Sequence, residues 1–549
     1  MDRKTFVSSL FSVPDHVHRS ERIVASGITP YAGAWGHDQV VHLLRRTGFG
    51  APQNLVTQLS GLTMTAAVTL VLPPLGAAPP PPLTYYTTPA DADGIAYGAT
   101  WVNKEPTLNL VVVTPPRIDS YRAWWIDRML TSGPSIHEKM VLFWHNHFAT
   151  SSNNMFAAWM YKHNTVLRQY AMGNVKDFAK AITKDPCMLQ FLNGNLNSAA
   201  APDENYGREL QELFTVGKGS GSAYTEDDVK AAAKVLTGYR INYLTASGYY
   251  FDANQHDTGS KQFSAFYNNT VISGQSGAAG ENELDAMLNM IFSVDETAKH
   301  IVRRLYMFFV YYNIDAAVET NVIEPLANIL VSNNYDILPV LAALFKSEHF
   351  FDVANMSCYI KSPIDQVLGL VRELEVQLPA DPAMKKEAQL RLYAYAANMG
   401  MAIHDIPQVA GWAAYYQTPA FHENWINSST LAFRIDYAKA LLNGINYGGA
   451  TPLKPDLKAY VSTFTNPSDP NALVQEACDR LYRFPISQTG RDFLKGFLLS
   501  GGFGNDSYWV MAWDDYVQNP SDPGAINTVE TRLKALFETM FSQSEIQIA

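Results

Sequence analysis

Apolar residues recur with helical spacing along most of the chain. Val40, Val41, Leu43 and Leu44 fall on one face of a helix, and Gly48 follows as a stop. This spacing predicts an amphipathic helix near residue 38. Similar patterns predict helices over residues 118–131, 134–149, 154–172, 175–184, 203–216, 225–238, 281–293, 295–312, 316–331, 335–347, 361–376, 384–399, 428–443, 471–482, 487–500 and 526–541.

Two stretches depart from the helical pattern. Between residues 239 and 273, Tyr239 and Ile241 alternate with polar neighbours, which predicts a small β-hairpin. Between residues 73 and 116 the chain carries the run Pro79 to Pro82 and Thr-rich turns. Proline lacks a backbone donor and disfavours helix, so this stretch is predicted to be an extended loop. It could be a plain surface wrap, a covering lid or an assembly arm.

Together these patterns predict a mainly α fold with a minor β element. We expect an irregular arm over residues 1–30 and a single helical domain over residues 31–549. Within that domain lie the hairpin, at about 239–273, and the Pro-rich insertion, at about 73–116. No internal repeat of fixed period is found, which argues against a solenoid or an array.

Composition then narrows the class of protein. Of 549 residues, 47% are hydrophobic and 12% aromatic, which is enough to build a large core. The net charge of −11, without clustered basic residues, argues against nucleic-acid binding. The sequence has no window of 18 consecutive apolar residues, so no membrane span is expected. Three cysteines far apart exclude a disulfide scaffold and a Cys-rich zinc site.

The first residues bear on localisation. The start MDRKTFVSSLF resembles an export signal, but the polar residues that follow it do not supply an apolar segment. We therefore expect either a cytoplasmic protein, as the sequence is written, or one whose export segment was lost; related proteins could be exported.

The densest polar and aromatic string lies at the end of a predicted helix and contains His145 and His147. Neutral imidazole is a common metal ligand, but residues two apart in a regular helix point in different directions. On the helical wheel His147 joins Phe143 on the buried stripe, and His145 lies beside Glu138. Two interpretations stay open: metal ligands, or a core histidine bound to backbone and a His145–Glu138 pair.

The second string places Glu204, Arg208 and Glu212 on one helix face, with Glu209 at its edge. A solvated ladder of opposite charges explains that spacing. The alternative is a buried carboxylate pair around an arginine, which is an environment for acid and base chemistry.

The third string brings His256, Asp257 and Lys261 together after the second hairpin strand. These residues could supply a metal ligand, a base and an anion contact, or they could form a turn with a surface salt bridge. No nucleotide-binding or other catalytic signature accompanies the three strings, so no nucleotide cofactor is expected.

In this order, the strings resemble the bacterial family catalogued as domain of unknown function 1800. Family-like motifs occupy His42 to Gly50, Glu138 to Phe148, Glu204 to Leu213, Tyr224 to Gly238, His256 to Lys261 and Lys361 to Pro363. The resemblance covers roughly residues 37 to 545. Asn193 stands where the family often has Asp, which removes one carboxylate. The resemblance implies that the polar strings share one fold and one pocket, but it implies no substrate.

Two functional hypotheses follow. In the first, a metal-assisted hydrolase-like enzyme holds Zn, Mn or Fe with His145, His147, His256 and Asp257. Its catalytic residues would be Glu209 as proton acceptor, with Arg208 and Glu204 beside it, acting on a small-molecule or carbohydrate-like substrate. In the second, the strings are a metal-free packing network and the Pro-rich arm makes contacts in a homo-oligomer.

Overall fold

In the computed structural model, the described residues are 24, 26–86, 91–105, 107, 110–153, 155–219, 221–449, 451–499 and 504–549. The first helices are α1 His37–Thr47, α2 Gln53–Ser60, α3 Met64–Val71, α4 Leu110–Thr131, α5 His137–His147, α6 Ala157–Tyr170, α7 Val175–Thr183, α8 Pro186–Phe191, α9 Asn205–Glu209 and α10 Glu226–Val235. A π-helix, Leu210–Thr215, continues α9.

The second half of the chain is helical as well. Its helices are α11 Glu283–Ile291, α12 Asp295–Phe309, α13 Ala316–Val318, α14 Glu324–Ser332, α15 Leu338–Phe345, α16 Pro363–Glu373, α17 Pro382–Asn398, α18 Ser428–Asn443, α19 Leu457–Ser462, α20 Pro470–Leu481, α21 Gln488–Leu499, α22 Ser507–Gln518 and α23 Pro523–Phe541. The chain is 57% helical, which confirms the prediction of a mainly α fold.

Local capping accounts for many helix starts. Thr225 and Asp228 form a capping box at α10, with each side chain bound to the other residue's backbone N–H. An Asp–Pro pair starts α8 and α23, where Asp185 and Asp522 cap the helix and the proline takes its first position. The helical spacing did not predict α8, α19 or α22. It missed α8, and it placed the start of α23 three residues late, because it overlooked the Asp–Pro signal.

The β element is smaller than a single hairpin over 239–273. β1 Tyr239–Ile241 pairs antiparallel with β2 Tyr249–Phe251, and β3 Lys261–Gln262 pairs separately with β4 Val271–Ile272. Asp252 ends the first pair, because its side chain caps a short 3₁₀ turn. The predicted minor β element is confirmed, but as two short two-stranded sheets.

The Pro-rich segment also ends earlier than predicted. α4 begins at Leu110 and includes Pro115 and Pro116 in its second turn, where each proline removes one backbone hydrogen bond of the helix. The preceding residues lie against the helical body: Arg117 binds Asp91 and Asp93, and the Trp124 indole donates to the carbonyl of Pro80 at 2.7 Å. Residues 73–85, which we name the strap, therefore lie along α4.

The core is built around α4, α5 and α6, which pack against one another, while α17 covers α4. Trp125, Trp144 and Trp159 are fully buried among them. Buried apolar residues form one cluster from Val40 to Ile546. The predicted arm over residues 1–30 lies largely outside the described residues, and the division into arm and domain stays a prediction. Among the helices that the structure describes, none is long and apolar enough to cross a membrane.

Substitution of Gly50, which follows α1, tests how closely this segment packs against α16. The φ of Gly50 is +86°, and a Cβ there would lie 2.9 Å from Gly369 Cα. We expect Gly50→Ala to lower the free energy of unfolding by about 2 kcal/mol in denaturant titrations, because the left-handed backbone and the contact both oppose a side chain.

Gly61 provides the matched control. It has a φ of −77°, and a Cβ there would meet no atom closer than 3.6 Å. Gly61→Ala should leave stability within about 1 kcal/mol of the natural chain. Equal effects of the two substitutions would contradict this packing.

Candidate functional site

His145 lies in a buried group of aromatic rings. Its Nε2 accepts a hydrogen bond from the backbone N–H of His404 at 3.0 Å. The ring centroids of Trp125, His404 and Trp412 lie 5.3, 5.4 and 5.9 Å from that of His145. Burial lowers the pKa of His145 to about 3, so the ring is neutral near pH 7.

Two further histidines complete what we name the histidine cluster: His145, His163 and His404. The His163 ring centroid lies 6.5 Å from that of His145, and its Nδ1 lies 3.0 Å from Asp185 Oδ1. His163 Nε2 and both ring nitrogens of His404 are buried without a hydrogen-bond partner. Nothing in the sequence pattern marked His404, which lies in a loop at a φ of +74°.

The predicted pair between His145 and Glu138 is wrong. Glu138 instead binds Arg168 through both carboxylate oxygens, and Glu138 Oε2 also accepts from the Trp125 indole at 3.1 Å. The fork of a guanidinium matches a carboxylate better than a single imidazole N–H does.

His147 lies among other rings and meets the π-helix. Its Nε2 donates to the carbonyl of Phe214 at 3.1 Å, and His300 Nε2 donates to the preceding carbonyl, of Leu213, at 3.0 Å. A π-helix shifts the backbone hydrogen bonds of a helix by one residue. The two imidazoles bind carbonyls within this segment, and burial lowers the pKa of both.

The second string lies near the surface. Arg208 binds Glu226 through two nitrogens, at 2.8 and 2.6 Å, and Glu204 at 3.0 Å. Glu212 pairs with Lys218 rather than with Arg208. Glu209 is half-buried, and desolvation and the neighbouring Glu212 raise its pKa. The Glu204–Arg208 part of the predicted ladder is present, and Glu226 is a partner that the helical spacing did not indicate.

The third string forms a buried ionic network beneath the small sheets. His256 Nε2 lies 3.1 Å from Glu283 Oε1, and its Nδ1 lies 2.9 Å from the carbonyl of Thr237. The Lys261 ammonium lies 2.6 Å from Glu283 Oε2 and 3.5 Å from Asp257 Oδ1. The string therefore supplies buried charges that bind one another.

The structure thus distributes the predicted site residues over several local networks. His256 and Asp257 share one through Lys261, and Glu204 and Arg208 share another, whereas His145 and His147 bind different segments. Within the described residues, no group of three or more His, Cys, Asp or Glu side chains could hold a metal ion. The assigned roles of these residues stay predictions.

A large cavity lies between the strap and the three central helices. This cavity, which we name the cleft, has a volume of about 620 Å³. Residues 73–79 of the strap cover it, α5 contributes His137 and Glu138, and α6 contributes Tyr161 and Arg168. A neighbouring pocket of about 340 Å³ is lined by Pro80 to Leu83, Trp124 and Lys385, and Arg128 lines both cavities.

The polar wall of the cleft is made by the Glu138–Arg168 pair and His137. Arg168 Nη2 donates to Glu138 Oε2 at 2.8 Å, and Arg168 Nε donates to Asn164 at 3.0 Å. His137 Nε2 donates to the carbonyl of Arg168 at 3.0 Å, which leaves the lone pair on Nδ1. Burial lowers the pKa of His137, so its neutral form prevails near pH 7.

One layer of side chains separates this wall from the histidine cluster. The Trp125 ring binds Glu138 on one side and lies 4.9 Å from the His404 ring on the other. Tyr121 lies 4.1 Å from His404 and 6.3 Å from Tyr161 of the cleft. The cleft and the cluster are therefore two parts of one polar and aromatic region, which we take as the candidate functional site.

Comparison with known proteins gives one match. The model of a family described as Protein of unknown function (DUF1800) matches residues 42–512. No curated protein and no solved structure matches the chain. The matched residues include the strap, the cleft, the histidine cluster and all three polar strings.

The depressed pKa of His145 predicts acid sensitivity. The unfolded chain takes up a proton below about pH 6.5 while the folded ring stays neutral down to about pH 3, so stability is lost as the pH falls through this window. Each pH unit costs about 1.4 kcal/mol for this one group. We expect His145→Gln, which can still accept from the His404 N–H, to reduce this slope in denaturant titrations.

The control is His37→Gln, at an exposed histidine of α1 beside Asp38. It should keep the slope of the natural chain. An unchanged slope in His145→Gln would show that His145 does not carry the predicted titration.

Proposed function

The chain belongs to this family, whose description leaves its activity open, and from that premise we propose that it is a hydrolase-like enzyme acting on a small ring-bearing molecule in the cleft. The observation that carries the proposal is a cavity of about 620 Å³ in which a neutral imidazole and a buried ion pair face a proline-lined strap. Such a combination of apolar walls and a few fixed polar groups is typical of ligand sites.

The walls favour a substrate of the carbohydrate class. Tyr161 offers a ring to the cleft, and Trp124 offers one to the neighbouring pocket, so the flat faces of a ring-bearing ligand can lie against them. Arg128 and Arg168 add donors for hydroxyl or carboxylate oxygens. The strap excludes water from one side, which strengthens these polar contacts.

His137 is the group best suited to move a proton. Its Nε2 is held by the carbonyl of Arg168, so Nδ1 is the proton-accepting nitrogen, and it lies 4.0 Å from Glu138 Oε1. A base must be unprotonated before it reacts, and the lowered pKa keeps His137 in that form. Glu138 then stabilises the imidazolium that forms, while Arg168 holds Glu138 in place.

Metal assistance is a separate proposal. It assigns Zn, Mn or Fe to His145, His147, His256 and Asp257, but the described residues do not form a fitting site, so no step above passes through a metal. Elemental analysis by plasma mass spectrometry tests it. Near-stoichiometric metal that is lost in a His145→Ala/His147→Ala variant would support it, and a metal-free natural chain would contradict it.

The predicted acid and base group Glu209, with Arg208 and Glu204, likewise remains a proposal. The raised pKa of Glu209 supports a proton-transfer role, yet these three residues line neither the cleft nor the neighbouring pocket. A Glu209→Gln variant separates this proposal from the role of His137, because only one of the two substitutions should abolish turnover.

The test of the cleft is a chromogenic screen with p-nitrophenyl glycosides and esters. For any compound that is hydrolysed, His137→Gln should lower kcat by about 10²–10⁴-fold with little change in KM, because Gln can still donate to the Arg168 carbonyl but cannot accept the proton. In the natural chain, protonation of His137 should lower kcat at a pH below the ordinary pKa of histidine, and this acidic limb of the pH profile should be absent in His137→Gln.

His37→Gln is the matched control and should leave turnover and the pH profile unchanged. Full activity in His137→Gln would overturn the assignment of the base. Hydrolysis that survives filling of the cleft, for example by Thr165→Trp, would place the reaction elsewhere.

A further inference from the structure

A second group of buried polar and charged side chains lies in the core, and none of its residues lines the cleft. It joins the end of α1, the whole length of α16 with the residues just before it, and the middle of α18. We name it the basic cluster: Arg45, Lys361, Gln366, Glu373 and Arg434. All five side chains belong to residues that are at most 6% exposed. Three of them are cations and one is an anion, so the cluster carries a net charge of 3 − 1 = +2 when every group is ionised.

A buried excess of charge is costly unless something compensates for it. Arg45 binds Glu373 at 2.8 Å, but Lys361 and Arg434 have no carboxylate of their own within this cluster. The nearby Asp365 acts on the charges of both Lys361 and Arg434, but it is itself paired with Lys139, so this second pair leaves the excess of positive charge unchanged. Arg434 donates to the neutral oxygens of Gln547 and of the Lys361 backbone, which satisfy hydrogen bonds but cancel no full charge.

The cluster also holds donors without partners. Three donor atoms are buried and make no hydrogen bond to the protein: Arg45 Nη1, Arg434 Nε and Gln366 Nε2. Two buried acceptor atoms also lack a hydrogen bond: Gln366 Oε1 and Glu373 Oε2. Buried polar atoms in native proteins almost always have a partner. The charges of Arg45, Glu373 and Arg434 all act on Lys361, so the unpartnered arginine donors and the excess of positive charge surround one buried lysine.

We propose that a small free anion, of the size of chloride, binds among Arg45, Lys361, Gln366 and Arg434. Such an ion satisfies the unpartnered donors and neutralises part of the excess charge. The four side chains come from three separate segments of the chain, so the bound ion joins α1, α16 and α18. The depth of the cluster excludes a lipid headgroup or a peptide as the source of the charge.

A competing account also relieves the charge. Burial and the neighbouring Arg45 lower the pKa of Lys361 to about 7, so a neutral Lys361 with internal water could replace the anion. The two accounts differ in whether stability depends on the anion in solution.

The experiment is denaturant unfolding of the full chain in sodium chloride and in sodium gluconate, whose anion is too large for the cluster, at equal ionic strength and pH. We expect greater stability in chloride, and above the dissociation constant a tenfold rise in chloride should raise the folding constant about tenfold. Anomalous scattering from crystals grown in bromide should place the ion at the cluster.

Two variants keep the test specific. Gln366→Met removes a donor without changing the charge, and Lys361→Met removes the charge; both should weaken or abolish the chloride response. Lys230→Met, at an exposed lysine of α10, is the control that should retain it. Equal stability of the natural chain in both salts would overturn the proposal. A chloride response that survives in both variants would also overturn it, as would a Lys361→Met variant that is more stable than the natural chain by the same amount in both salts.

Discussion

The ion pair between Glu138 and Arg168 is the interaction on which the candidate site depends. It joins α5 to α6, and through the Trp125 indole it also fixes α4. The Arg168 guanidinium lies 4.9 Å from the Trp124 ring, so the same side chain supports the wall shared with the neighbouring pocket. Loss of one partner would leave a buried charge alone, which typically costs about 3–5 kcal/mol.

This pair also separates two environments. On its outer side lies the cleft, where His137 keeps a free ring nitrogen beneath the strap. On its inner side lies the histidine cluster, where burial lowers the pKa of His145 and of His404 and leaves several ring nitrogens unpartnered. A neutral imidazole can both donate and accept a hydrogen bond, so His145 and His404 add polar groups to this buried region without adding charge.

Much of the fold was predictable because most helices carry an apolar stripe of their own. The starts of α8 and α23 depended instead on Asp–Pro capping, and the Pro-rich segment ended earlier than predicted because Pro115 and Pro116 belong to α4. The site was harder to predict. The motifs drew attention to His145 and His147, whereas the cleft uses His137 and Glu138, about two to three turns earlier on the same helix.

The remaining site residues carried no local signal. His404 approaches His145 from a loop more than two hundred residues away, and Glu283 meets His256 across the small sheets. Such pairs depend on how distant segments pack, which periodicity within one segment does not report. The unpartnered charges of the basic cluster likewise become visible only when α1, α16 and α18 are brought together.

X-ray diffraction from crystals soaked with a mixture of monosaccharides and small aromatic glycosides tests the central claim most directly. The cleft account predicts ligand density between residues 73–79 and the His137–Glu138–Arg168 wall, with the sugar ring against Tyr161. Ligand density that forms only at another surface, with the cleft holding ordered water alone, would contradict it.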